Sequence, residues 1–482
     1  MAFSNAPQYS TYQQKRIPFY GDMDSRQNAY SYTTDMLFQN VYSESVVNSL
    51  TGEKDLYIRR RPGVVAQEPL GGVGPVRGSL SWETSIFYVQ ADTLYERVIT
   101  GGSIPRGIIN SSAGPVGMCM VPYQGDNGAL HLIISDGTQL WKYRLSGGIF
   151  EEFYAGYPSP HIPQPISIDG YIVLALSGTD EIWNTQLSDW TAPWDFISTE
   201  MYPDLIQGLN RYNNYIMVLG QESIEMFYNA GIETGSPFAR NESTVITIGC
   251  TAYRSAVQTD RHFYWVGTTQ EGGRSVWTMV DFKAEEIATP FIKRCLDQEP
   301  TANNILGAAV RVKGRHWYLL YTTNHTFAYD IDEKKWAVWT LGSGSSPFGY
   351  YITGDNGVQG TTFLFGNNYL LNLNPAVGTD AFSDWIYCRW QTNLLDFETM
   401  NRKFLHRLSL VGNANNIATI SVAWTDDDYQ TWSPPRLIPM SSSRPAIVNC
   451  GYFRQRGFRF EYYGEPDLRM QAMELTYNVG VN

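Results

Sequence analysis

Three adjacent carboxylates, Asp426, Asp427 and Asp428, stand in the stretch TDDDYQTWS at residues 425–433. They offer two readings: oxygen ligands for a Ca²⁺ ion, or a solvated turn whose acids bond to their own backbone. The histidines, His131, His161, His262, His316, His325 and His406, include no pair at the i, i+4 spacing of a zinc-binding helix. The five cysteines, Cys119, Cys250, Cys295, Cys388 and Cys450, lie far apart and form no C-x-x-C, so buried free thiols are expected. GSGSSPFG at 342–349 misses the spacing of a G-x-S-x-G nucleophile elbow. GGVGPVRG at 71–78 misses G-x-G-x-x-G by one residue and places a proline where a helix would begin. Arg59-Arg60-Arg61-Pro62 is the densest basic stretch. Its guanidinium forks suit phosphate, a salt-bridged joint with an acidic neighbour, or a strand end with one structural pair. The expectation is a protein with no catalytic residues, no metal and no cofactor.

The elements that must position these groups are strands. One phrase recurs along the chain: an apolar run, a tight Gly, Asn or Asp turn, and a second run centred on an aromatic or a leucine. It reads Ile86–Val89 then Leu94-Tyr95, Leu132–Ile134 then Leu140-Trp141, and Ile172–Leu176 then Ile182-Trp183. It returns as Tyr215–Leu219 then Ile224–Tyr228, Phe263–Val266 then Val276-Trp277, Trp317–Tyr321 then Phe327–Tyr329, and Phe363–Phe365 then Leu370-Leu371. Each is a hairpin signature. The second runs fall roughly 42–52 residues apart, about the length of a four-stranded blade. The spacing predicts an all-β protein: a β-propeller of six or seven blades over 73–380. Residues 381–482 alternate apolar and polar, as in Ala418–Trp424 and Gly457–Tyr462, and predict a β-sandwich or jelly-roll. Together with the Tyr-, Asn- and Gln-rich segment 1–72 they would form a platform.

The chain has 482 residues, 17% charged and 14% aromatic, with 32 Tyr and 14 Trp. Such ring content favours strands and extended interfaces. The net charge of −12 argues against a protein that grips nucleic acid, since that grip comes from Lys and Arg neutralising phosphates. It leaves room for one that DNA passes through. No apolar run approaches membrane-spanning length, and MAFSNAPQYSTYQQ lacks a signal-peptide core, so no membrane insertion is expected.

TDDDYQTWS resembles the Asp-box, the hairpin turn of sialidase-type propellers, in Asp427, Thr431 and Trp432, with Tyr429 where that turn has glycine. In that motif the carboxylate caps the turn and Trp packs beneath, so the resemblance implies a structural turn. A wider resemblance covers the whole length in order. NAYSYTTDMLFQNVYSES to LYIRRRPGV, IQGLNRYNNYIMVLGQESIEMFYNAG at 206–231, and the run from LHRLSLVGNANN to YFRQRGFRFEYYG resemble the tail nozzle proteins of short-tailed double-stranded DNA phages. These podovirus proteins are also called packaged-DNA stabilisation or tail hub proteins. The resemblance implies a virion protein made in the host cytoplasm: a homo-hexameric ring below the adaptor (head–tail connector) and portal rings. Its implied partners are tail fibres or spikes, ejection or needle proteins, and DNA running through the lumen without sequence-specific binding. On that footing Tyr30, Tyr32, Phe38, Tyr42, Tyr57, Arg59, Arg60 and Arg61 are candidate contacts to the adaptor or a neighbouring subunit, because segment 1–72 cannot form a core alone. The alternatives are a sialidase-like glycosidase, which needs Asp-boxes in several blades, and a monomeric propeller scaffold for protein binding.

Overall fold

The computed structural model describes residues 12–480 except 22, 25–35, 48–51, 53, 99–100, 155, 200–203, 260, 270–271, 352–353, 356, 359–360, 383–384 and 413–417. The chain forms two compact units. One is Ala66–Thr323 with Tyr350–Leu373; the other gathers Met1–Val65, Asn324–Gly349 and Asn374–Asn482.

The first unit is the propeller. Among the described residues six antiparallel four-stranded sheets form its blades. The first is Val76–Trp82, Ser85–Gln90, Thr93–Val98 and Ser103–Ile108, with a short parallel strand Gly354–Asp355 added. The second is Gly117–Tyr123, Ala129–Ser135, Leu140–Arg144 and Ile149–Glu152. The next three occupy the spans 166–198, 206–240 and 252–286. The sixth takes Gly357–Val358, Thr361–Gly366 and Tyr369–Asn374 from late in the chain and its outer strand, Gly63–Pro69, from the beginning. There Leu70 N–H donates to Asn368 O at 2.7 Å and the Gln67 amide to Asn372 Oδ1 at 3.0 Å. Between the fifth and sixth blades the hairpin Leu306–Val312/Arg315–Tyr321 bridges the ring. The Arg311 N–H donates to Thr362 Oγ1 at 2.9 Å on one side, and the Tyr318 hydroxyl to Ser255 O at 2.9 Å on the other.

Within each blade the recurrent phrase supplies the middle strands, and its turns take the left-handed conformation: Asn213 has φ +54°, and Asn367 and Asn368 have +50° and +62°. Apolar side chains on both faces then fill the gaps between blades. Phe87, Val89 and Leu94 of the first blade meet Leu132, Ile134 and Trp141 of the second, all buried. Val76, Ile86 and Tyr88 meet Val358, Phe363, Phe365 and Leu370 of the sixth. At the centre the inner strands approach closely enough to require glycine: a Cβ on Gly117 would stand 2.2 Å from Pro163 O.

The second unit is built from two sheets. A seven-stranded sheet runs Val41–Val47, Lys54–Arg60, Arg469–Val479, Lys403–Gly412, Ala446–Val448, with Gln13–Pro18 and Tyr452–Phe453 added at its sides. The other contains Thr326–Asp330, Lys335–Leu341, Phe38–Gln39, Tyr387–Gln391, Gly457–Tyr463, Thr419–Thr425 and Arg436–Pro439, in that order. Phe19 joins them, its ring 5.7 Å from Trp390 and 4.9 Å from Phe460. Residues 324–349 lie inside the 73–380 span, yet group with the terminal segments. The reason is pairing: Phe38–Gln39 inserts between Lys335–Leu341 and Tyr387–Gln391.

Candidate functional site

The basic stretch is bonded throughout the two-sheet unit. Arg61 and Asp380 are a fully buried pair, both side chains 0% exposed. The Arg61 fork donates to Asp380 Oδ1 at 2.8 Å and Oδ2 at 2.6 Å, to Thr340 O at 2.7 Å, to Pro62 O at 2.9 Å and to Asn40 Oδ1 at 2.9 Å. Its plane lies 4.9 Å from the Phe348 ring centroid. Gly342 N–H donates to Asp380 Oδ2 at 3.0 Å. Asn40 completes the node by donating to Thr340 Oγ1 at 2.7 Å and Tyr387 O at 2.8 Å. Arg60, also buried, donates to the carbonyls of Gly464, Glu465 and Pro466 at 3.0–3.1 Å. Arg59 is partly exposed and pairs with Glu44 at 3.2 Å and with Asp467.

The three arginines therefore join the N-terminal segment to residues 324–349 and to the C-terminal run. This places two of the candidate contacts, Arg60 and Arg61, inside the chain's own unit, because bidentate and carbonyl bonds hold a guanidinium most strongly where water is excluded. Phe38 and Tyr42 are buried as well. Tyr57 is half-buried, with the Arg469 guanidinium 4.1 Å from its ring centroid. Tyr30 and Tyr32 lie outside the described residues. The sequence reading missed Asn40 and Asp380; 319 positions separate Asp380 from its arginine, and no local pattern marks it.

The acidic stretch is a capped turn. Asp427 Oδ1 accepts from Thr431 N–H at 3.0 Å and from the Thr425 hydroxyl at 2.8 Å. The Thr431 hydroxyl and amide hold the Asp427 carboxyl below its usual pKa. Trp432 carries the Arg459 guanidinium 4.3 Å from its centroid. Tyr429 adopts the left-handed conformation, φ +63°, that glycine would take, and its hydroxyl donates to Thr392 O at 2.9 Å. That bond anchors a side chain a glycine would lack. Asp426 is engaged bidentately by Arg456 at 2.7 Å. Among the described residues no group of three or more His, Cys, Asp or Glu side chains could hold a metal ion. Asp427→Ala is expected to cost on the order of 1 kcal/mol of stability through loss of the turn's bonds, read as a shift in the denaturant midpoint of the second unit.

Three of the cysteines and His161 are buried among packed side chains. Burial pushes the thiols of Cys119, Cys250 and Cys388 up to about 12, far from a nucleophilic thiolate. His161 is buried and neutral by geometry: Nδ1 meets the Pro158 carbonyl at 2.8 Å, so it carries the proton, and Nε2 accepts from the Ser135 hydroxyl at 2.7 Å. Burial pushes its pKa below the usual 6.5. The folded ring resists the proton that an unfolded one accepts. Its contribution to stability is therefore present above about pH 6.5 and is lost as pH falls through the lowered folded value. Thermal melts from pH 7.5 to 5 are expected to show this decline, and His161→Gln to flatten it.

The propeller axis holds a cavity of about 400 Å³ lined by inner-strand residues, among them Arg77, Ser79, Gly117, Asn210 and Arg254, and by Gln164 of a connecting segment. Arg77 is tied to the carbonyls of Gly114, Ala91 and Ser111 at 2.6–2.8 Å.

Six blades in one unit, beside a two-sheet unit that gathers both ends of the chain, define the class of β-propeller proteins. Residues 15–372 match a family model described as Bacteriophage P22 Gp10, beta-propeller. The chain belongs to this phage-stabilisation family. It is 19% identical over 308 residues to the tail hub protein gp10 of Salmonella phage P22; the match covers 60% of this chain and 62% of that protein's length. Solved structures overlap it at low scores. The extracellular domain of a hybrid two-component system from B. thetaiotaomicron has a TM-score of 0.43 at 11% identity, covering 74% of this chain and 45% of that one. An inactive virginiamycin B lyase variant from Staphylococcus aureus, solved with quinupristin, has 0.34 at 11%, covering 64% and 97%. Among the described residues no helix is long and apolar enough to cross a membrane.

Proposed function

We propose that the chain is a structural, non-enzymatic protein of the virion: the nozzle of a short phage tail, attached below the adaptor and portal. It retains packaged DNA and provides the channel for its ejection. Family membership carries this reading. The chemistry agrees with it. The arginine stretch acts as a structural joint, the acidic stretch as a turn, and a net charge of −12 suits a lumen past which phosphates must slide. Copies assemble as a homo-hexamer, and the two-sheet unit carries most of the contact between them. Support for that assignment comes from its exposed apolar side chains: Leu437 is 65% exposed, Val448 52% and Tyr452 57%. Fibres or spikes, the adaptor ring and ejection or needle proteins are its neighbours, and DNA crosses without sequence-specific contact.

Native mass spectrometry of the purified chain, alone and with the adaptor, tests the assembly. A six-copy mass is expected, and Leu437→Glu with Val448→Glu should abolish it while leaving the far-ultraviolet spectrum unchanged. These substitutions are a cleaner probe than deleting residues 1–48, which would also remove Asn40 from the buried node. A mass unchanged by the charges would move the interface elsewhere.

A further inference from the structure

Arg254 differs from the other arginine lining the axial cavity. Arg77 is bonded to backbone carbonyls, whereas Arg254 is half-buried and makes no hydrogen bond or ion pair with any described residue. Burial pushes its guanidinium below the usual value, and the groups that oppose this are the phenols of Tyr253 and Tyr351 rather than carboxylates. No Asp or Glu is among the described residues lining the cavity. A second depression, of about 310 Å³, shares Pro163, Tyr253 and Arg254 with the first and likewise has no described carboxylate in its wall. It also contains Thr251, whose buried hydroxyl has no partner among the described residues. Gln164 lines the axial cavity with its oxygen already bonded to Leu209 N–H at 3.0 Å, which turns its amide N–H₂ to other use.

A desolvated guanidinium with no carboxylate beside it among the described residues is costly to keep unless an anion meets it. The fork of an arginine matches two oxygens of one anion. We propose that the axial cavity of the propeller is a binding site for a small oxyanion, a phosphate or a carboxylate, held by Arg254 with Gln164 as a second donor. The volume falls in the range of small-ligand sites, and the charge of Arg77 adds to the attraction without its donors being free. The site is independent of the tail assignment, since it rests on the cavity and on the Arg254 and Gln164 side chains that line it.

Isothermal titration of the full-length chain at constant ionic strength, with sodium phosphate in one arm and sodium citrate in the other against a chloride background, tests it. Saturable binding of one anion per chain is expected in at least one arm, with a melting temperature that rises with that anion. Phosphate binding alone identifies a phosphate-type ligand, and citrate binding alone a carboxylate-type one. Arg254→Gln should weaken binding at least about tenfold by removing charge and fork together. Arg254→Lys keeps the charge and the bulk, guarding against a folding failure, and should bind more weakly than the native chain because ammonium offers no fork. Absence of saturable binding in both arms, or unchanged affinity in either variant, overturns the proposal.

Discussion

Arg61→Ala is expected to destabilise the two-sheet unit by about 3–5 kcal/mol, because it strands the Asp380 carboxylate in a site where neither side chain reaches water. The loss extends beyond the pair. Asn40 Oδ1 loses its bond to Nε at 2.9 Å, and Thr340 O loses its bond to Nη2 at 2.7 Å. Asp380→Ala should cost as much from the other side, leaving a buried guanidinium with carbonyls only. Combining Arg61→Met with Asp380→Leu removes both charges and is expected to recover part of the loss. Urea unfolding followed by tryptophan fluorescence, with Trp339 beside the Arg61 plane as an internal reporter, measures the series. If Arg61→Ala shifts the midpoint no more than an exposed-arginine control such as Arg444→Ala, the node does not hold the terminal segments together.

Ending the chain after residue 345 should abolish soluble propeller altogether. The truncation removes Thr361–Gly366 and Tyr369–Asn374, the middle strands of the sixth blade. Val76, Ile86 and Tyr88 of the first blade, each at most 4% exposed, would then lose the apolar partners that cover them. The ring would also present unpaired strand edges, templates for association with other chains. Aggregation on expression and loss from the soluble fraction are expected. A soluble, monomeric product with native-like near-ultraviolet dichroism would show that closure through the sixth blade is dispensable.

The middle hairpins of the blades were legible because each carries its own signals: an apolar run, a turn that accepts positive φ, and an aromatic strand. Tyr215–Gly220 and Ile224–Asn229 are strands as read, and so are Thr419–Thr425 and Gly457–Tyr463, whose alternation marks a sheet with a core face. What distance joins was not legible. The outer strand of the sixth blade, Gly63–Pro69, carries no mark of partners some 300 residues later, and Lys335–Leu341 reads like any blade strand until Phe38–Gln39 pairs beside it. At the candidate sites, residue type identified Asp427 and Thr431 as a turn, because Asx capping is local. The arginines were seen, but whether they face a partner or a buried carboxylate depends on Asp380, which only the fold brings near. Arg254 gave no signal, since an arginine without a partner among the described residues is visible only after its surroundings are known.

Whether this protein caps the tail and keeps DNA inside is read from DNA retention in particles. Heads assembled with portal and adaptor but without this chain are filled, then challenged with nuclease before and after adding the purified protein. DNA is expected to leak from the unsupplemented particles and to become protected when the native chain is added. Full protection in its absence, or leakage undiminished by its addition, would contradict it.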